Sequence, residues 1–433
     1  MLKILDLRES DLVNLGELLP RPQLRREEPV DLVRQIIHQV RELGDEALVA
    51  LTKQYDGVEL SKLVVEPSEV IAAYERIDPE LRSALHFAFD AIVTLNGDEL
   101  RRHYSDHSGP SNGHVIHTKF VPVERAGCYV PGGRARYPSS VIMTAGIAKV
   151  AGVSEVVVCV PPGADGRVDD ATLAACHICS VDVVVAVGGA QAIAAMAYGT
   201  TSVPKVDVIV GPGNTYVSLA KREVSGVVGV PSSFAGPSEV VVIADRSTPP
   251  LWAAVDVAVQ AEHGPEGLAW LITWDLEYAE AVASELNTYV ESSPRADQIR
   301  STLEEGGYAV VVSDREAAHR VSNFIAPEHL ELLYEDPSRD YHLITAAGAV
   351  FAGVTGTAAF GDYVAGPSHV LPTFGTARFA SVLSVVDFLK RLHIVEVGEG
   401  ALGAAAEAGE RLARSEGLEA HRYSLELRRS ASL

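Results

Sequence analysis

Gln260 and His263 lie three residues apart in the stretch QAEHGPE, directly after the apolar run WAAVDVAV. On a helix, positions i and i+3 share a face, so both side chains are expected to leave the last turn in the same direction. Two polar groups aimed together suit a cap, a hydrogen-bond network or a metal ion. Glu328 and His329 are neighbours in APEHLEL. A carboxylate beside an imidazole that titrates near neutrality can move protons; an exposed dipeptide is the plainer reading. GDYVAGPSHVLPT carries Asp362, Tyr363 and His369 in a loop punctuated by glycine and proline. There Asp362 can serve as a hard oxygen ligand or as a turn residue. EGLEAH holds Glu416, Glu419 and His421, and reads locally as a solvated tail. Together Gln260, His263, Asp362 and His421 offer two imidazoles, a carboxylate and an amide oxygen. Such nitrogen and oxygen donors suit zinc in an open catalytic site, or manganese, although their spacing alone does not bring the four together.

These residues need a scaffold. Leu32, Val33, Ile36, Ile37 and Val40 recur at helical spacing, so residues 1–60 are expected to be helical, with further helices through 66–105. Residues 106–117 read as a loop or hairpin. From 119 short Val/Ile runs alternate with helical ones: EVVVCVPP, VDVVVAVGG and VDVIVGPGN form one series, and EVVVIAD, LAWLITWD and YAVVVSD a second. HLELLYED and AGAVFAG read as later strands. Continuous apolar strands between helices indicate parallel sheets covered on both faces. The expected fold is α/β, with two doubly wound, incomplete Rossmann-like domains plus small helical N- and C-terminal segments. The expected division is a helical segment 1–60, a discontinuous domain 61–128 and 239–381, a second domain 129–238, and a helical appendage 382–433. Three glycine turns, at Gly132-Gly133, Gly188-Gly189 and Gly211-Pro212-Gly213-Asn214, fall at strand ends where open α/β sheets bind ligands. None completes a G-x-G-x-x-G pattern, and tight turns alone also explain them.

A formal net charge of −22 disfavours nucleic acid and anionic membrane surfaces as partners. No apolar run reaches the roughly 18 residues of a membrane span, and MLKILDLRES lacks the pattern of a signal peptide. The expected location is therefore the cytoplasm. Four cysteines, Cys128, Cys159, Cys176 and Cys179, make no disulfide framework. Cys176-His177-Ile178-Cys179 has the C-x-x-C form, yet no second such pair completes a zinc site, and the segment reads as a helix between strands.

The chain resembles the histidinol dehydrogenase family over about 119–421. The resemblance rests on GCYVPGGRARYPSSVIMTAGIAKVAG, VAVGGAQAIAAMAYGT, VDVIVGPGNTYVSLAKREV, AGPSEVVVIAD, QAEHGPE, APEHLEL, GDYVAGPSHVLPT and EGLEAH. It implies one zinc ion per subunit on Gln260, His263, Asp362 and His421, with catalysis by Glu328 and His329. It also implies substrate contacts from Ser238, Glu416 and His369 together with His329 and the metal ligands, and NAD contacts from Tyr129, Gln191 and Asn214 in the 129–238 domain. The implied assembly is a homodimer in which His421 reaches the partner's site. The implied reaction is the four-electron oxidation of L-histidinol through the aldehyde to L-histidine with two NAD+, the last step of histidine biosynthesis. His329 would be the base for the alcohol and Glu328 the base for water. The sequence departs from the family pattern at Pro231-Ser232-Ser233-Phe234, at Thr357-Ala358 and at Ser368. These changes flank substrate-facing loops and admit an alternative reading, the oxidation of another amino alcohol or a polar diol. A catalytically dead binding protein is disfavoured, because every implied ligand and acid–base residue is retained.

Overall fold

A computed structural model of the chain describes residues 1–20, 29–132, 136–231, 238–263 and 267–431, without the side chain of His263. Six parallel strands form the larger sheet, in the order Lys3–Asp6, Gly307–Val311, Leu268–Thr273, Glu239–Ala244, His329–Leu333 and Ala349–Ala352. Every residue of Glu239–Ala244, Leu268–Thr273 and Gly307–Val311 is buried. Strand alternation divides their side chains between two cores. Val240, Val242 and Leu271 pack on one face with Ala253 and Val257 of the helix Pro250–Val259. Val241, Ile243 and Trp270 pack on the other with Val321 of the helix Arg315–Ile325. The apolar runs are continuous because neither face meets water.

Four parallel strands form the smaller sheet, in the order Val183–Val185, Glu155–Cys159, Arg125–Tyr129 and Val208–Val210. The helices Asp170–Ile178 and Gly189–Tyr198 separate successive strands in the chain, and Thr215–Val224 follows the last of them. Cys176 and Cys179 are buried and unbridged, and burial pushes both thiols far above their usual range. Both are in the protonated form that neither attacks disulfides nor binds metal.

Packing differs from the expected division in three places. Lys3–Asp6 is a strand that pairs in parallel with Gly307–Val311, so the first residues belong to the larger sheet and not to a helical segment. Residues 61–128 do not join 239–381: Ala73, Leu85, Ala88 and Ile92 share one core with the smaller sheet, and Arg125–Tyr129 is one of its strands. The stretch after 382 is not wholly helical. Leu389–Val397 pairs antiparallel with His114–Pro122 along its whole length, and His107–Ser111 pairs on the other side of that strand. The helices Ala404–Ser415 and Glu419–Ser430 follow and pack on each other. No helix among the described residues is long and apolar enough to cross a membrane.

Candidate active site

Glu328 and His329 stand where the helix Arg315–Ile325 hands over to the strand His329–Leu333. Ala326 ends the helix in a left-handed conformation, φ 54°, and Pro327 prevents its continuation. The pair therefore sits at the amino end of a central strand. This edge also receives Ser238, just before Glu239–Ala244, and the turn Gln260–His263, which leads into Leu268–Thr273. The Glu328–His329 pair thus occupies the edge opposite the one where open α/β sheets usually bind ligands.

Both side chains are buried, with Glu328 8% and His329 3% exposed. The backbone of Glu239 holds the pair. Its N–H donates to Glu328 Oε2 at 3.0 Å, and its carbonyl lies 3.2 Å from His329 Nδ1. That contact fixes a proton on Nδ1 and leaves Nε2 as the basic nitrogen. Among the described residues His329 Nε2 makes no hydrogen bond, and it lies 3.4 Å from Asp362 Oδ1. The imidazole stacks on Phe351 with ring centres 6.1 Å apart. Burial pushes the Glu328 carboxyl up to about 7. Burial alone would lower the His329 pKa, but the carboxylates of Glu328 and Asp362 outweigh it and raise it.

Gln260, 3% exposed, donates from Nε2 to Asp362 Oδ2 at 3.3 Å. Two of the four expected metal ligands therefore meet beside His329. The expected helical spacing of Gln260 and His263 is realised in a 3₁₀ turn, where backbone positions i and i+3 are eclipsed. Asp362 belongs to the short helix Ala358–Tyr363. Gly361 lets this helix lie against Phe351, since a Cβ there would run into that ring. His369 joins Asp362 to the rest of the molecule: Nδ1 is 3.1 Å from the Asp362 carbonyl and Nε2 is 3.0 Å from Ser140 Oγ. A cavity of about 170 Å³ opens here, lined by His329, Phe351, Asp362, Ser368 and His369.

Among the described residues no three His, Cys, Asp or Glu side chains form a ligand group. His421 and Glu416 are exposed, on the helix Glu419–Ser430 and at the end of Ala404–Ser415 respectively. Of the divergent positions, Ser232, Ser233 and Phe234 lie outside the described residues, as does Gly133 of the first glycine turn. Thr357 caps the helix of Asp362, and Ser368 Oγ donates to the Met143 carbonyl at 3.1 Å. That carbonyl lies in a π-helical turn, Ile142–Gly146, which nothing in the sequence pattern announced. Glu331 was also missed. It is fully buried two residues beyond His329, and strand alternation would have put it on the same face.

The residues expected to bind the dinucleotide gather at the carboxyl edge of the smaller sheet. Tyr129 ends the strand Arg125–Tyr129, and its hydroxyl accepts from Gly189 N at 3.1 Å; burial pushes its pKa up to about 12. Gln191 is buried in the helix Gly189–Tyr198. Exposed Asn214 caps Thr215–Val224 by accepting from Val217 N at 3.1 Å. Gly211, φ 112°, brings its turn against the Tyr129 carbonyl, where a Cβ would collide. Buried Lys221 donates to the Gly211 carbonyl, and burial lowers its pKa to about 8. Beyond Tyr129 a cleft of about 950 Å³ opens, lined by Asp56, Pro131, Arg136, Pro161 and Asp169 among others. This is the upper size range of small-molecule and cofactor pockets.

The sequence profile of the histidinol dehydrogenase family matches residues 19–429. The chain is 46% identical over 401 residues to histidinol dehydrogenase of Synechococcus sp., covering 92% of both chains. It is 46% identical over 399 residues to histidinol dehydrogenase of Thermus thermophilus, covering 92% of this chain and 94% of the relative. The crystal structure of histidinol dehydrogenase from Elizabethkingia anophelis superposes with a TM-score of 0.93 at 30% identity, over 99% of this chain and 98% of the other. The chain belongs to the histidinol dehydrogenase family.

Proposed function

We propose that the protein is an L-histidinol dehydrogenase, oxidising L-histidinol through L-histidinal to L-histidine with two NAD+. It would work as a cytoplasmic homodimer with one zinc ion per subunit. The observation that carries this reading is the buried Glu328–His329 pair standing beside Gln260 and Asp362, in a chain of this family. Gln260 and Asp362 fit zinc by donor type and by their mutual approach of 3.3 Å. His263 and, from the second copy, His421 would complete the ligands. Zinc, when bound, would supply a fixed Lewis-acid anchor for the substrate. NAD+, when bound, would supply the hydride acceptor, and Tyr129, Gln191 and Asn214 are the residues that would hold it.

The chain's own groups then move protons. His329 Nε2, with its Nδ1 proton held by the Glu239 carbonyl, takes the alcohol proton while the first hydride leaves carbon. Glu328 takes a proton from the water that adds to the aldehyde, and the resulting hydrate loses the second hydride. Ser238, His369 and Glu416 orient the substrate. Burial of the pair keeps bulk water out and the reactive aldehyde in.

The test is NADH formed per L-histidinol consumed by purified protein, before and after removal of metal and restoration of zinc. Two NADH per substrate, lost on chelation and regained with zinc, is the expected result. No NADH from L-histidinol, with protein that still binds zinc, would overturn the assignment and direct the search to other amino alcohols.

A further inference from the structure

Two acidic residues lie behind the site and are used by none of the steps above. Glu331, 0% exposed, accepts at Oε1 from the Ala358 N–H at 2.6 Å. Among the described residues its buried Oε2 has no N–H or O–H donor. Asp256, 9% exposed, accepts at Oδ1 from Thr357 Oγ1 at 2.8 Å. The two carboxyls also interact with each other, and burial raises the pKa of both. Two buried carboxyls that interact are costly to ionise together, so one proton is expected to be shared between them. The uncharged Glu331 carboxyl then donates to Asp256 and satisfies the bare oxygen.

Each partner in this chain of contacts belongs to an element that carries a site residue. Asp256 is on the helix Pro250–Val259, four residues and so one turn before Gln260. Glu331 shares a strand face with His329. Thr357 and Ala358 begin the helix that bears Asp362. We propose that Asp256 and Glu331 form a buried two-carboxyl clamp that, through Thr357 and the Ala358 amide, sets the position of Asp362 against Gln260 and His329. Both are positioning residues, since neither is assigned a contact with substrate or metal. The clamp also gives the divergent Thr357 a role: its hydroxyl ties the start of the Asp362 helix to the helix of Gln260.

The proposal rests on the reading of Gln260 and Asp362 as metal ligands. Its test is therefore the affinity of the full chain for Zn2+ alone, measured by competition with a chromophoric chelator. Glu331→Gln keeps an acceptor for Ala358 and a donor for Asp256, and is expected to bind Zn2+ close to the wild-type value. Glu331→Leu removes both contacts and is expected to weaken Zn2+ binding by about 10-fold or more, the range seen when groups supporting metal ligands are lost. Thr357→Val cuts the same chain at a half-buried position and carries the test should Glu331→Leu not fold. A Glu331→Leu or Thr357→Val protein that folds and binds Zn2+ like wild type would overturn the clamp. So would a Glu331→Gln protein as weak as Glu331→Leu. A wild-type chain that binds no Zn2+ would instead remove the ligand reading beneath it.

Discussion

Replacing Glu328 with glutamine should stabilise the fold, and by an amount that grows with pH. The carboxyl is 8% exposed, and burial pushes its pKa from 4.5 up to about 7. The folded state therefore prefers the protonated form. Stability is fully present below the unfolded pKa and is lost as pH rises through the folded one. Linkage over these two values gives a cost of roughly 1 kcal/mol at pH 5.5 and roughly 3 kcal/mol at pH 8. Glutamine carries no charge, and its Oε1 can still accept from the Glu239 N–H, the bond that Glu328 makes at 3.0 Å. Urea unfolding of metal-free wild type and Glu328→Gln, at one protein concentration, should show the variant's advantage growing by about 2 kcal/mol between pH 5.5 and pH 8. The same variant should lose aldehyde oxidation by a factor of about 100 or more, as expected for a general base. A stability difference that is flat with pH, or that shrinks as pH rises, would refute the claim that burial dominates the Glu328 environment.

Gly361→Ala should place a methyl group against the Phe351 ring, costing about 1–3 kcal/mol in thermal or urea unfolding and lowering kcat by displacing Asp362. Unchanged stability and kcat would show that the helix can shift freely. Lys221→Met removes the ammonium that holds the Gly211 carbonyl; initial rates should show KM for NAD+ raised about 10-fold, the worth of one hydrogen bond from a charged group, with KM for L-histidinol unchanged. Cys176→Ala combined with Cys179→Ala should leave kcat/KM near wild type, because both thiols are buried and protonated. Loss of activity in the folded double variant would give this pair a role beyond packing.

Much of the larger architecture is legible in local pattern. Runs such as EVVVIA and LAWLIT are apolar at every position because both sheet faces are covered, and the βα alternation follows from that. Glu328, His329, Gln260 and Asp362 stand out because polar residues interrupt such runs or sit in punctuated turns. What escapes the pattern depends on distant pairing. Leu389–Val397 is mostly exposed on both faces and mixes lysine, arginine, histidine and glutamate with its apolar residues, so neither alternation nor a continuous core run marks it as a strand. Only its partner His114–Pro122, far back in the chain, makes it one. The allegiance of 61–128 depends on which core receives Ala73 and Ile92, and helical spacing does not say which. Asp256 and Glu331 look like isolated acids in apolar segments, because their hydrogen-bond partners Thr357 and Ala358 come from a later stretch of the chain.

The pairing of Lys3–Asp6 with Gly307–Val311 has a consequence for how the protein is born. The first strand leaves the ribosome with no sheet to join, since its neighbour is translated about 300 residues later. At about 5–20 residues per second that wait lasts roughly 15–60 s. The smaller sheet and the helices between its strands are continuous in sequence and can assemble in the interval, before Val370, Leu383, Val385 and Phe388 complete their core. The opening segment then has to stay tethered outside that assembled body until the larger sheet is synthesised. Its short length and the charged Lys3 and Asp6 in the strand make it a poor template for premature pairing with neighbouring nascent chains.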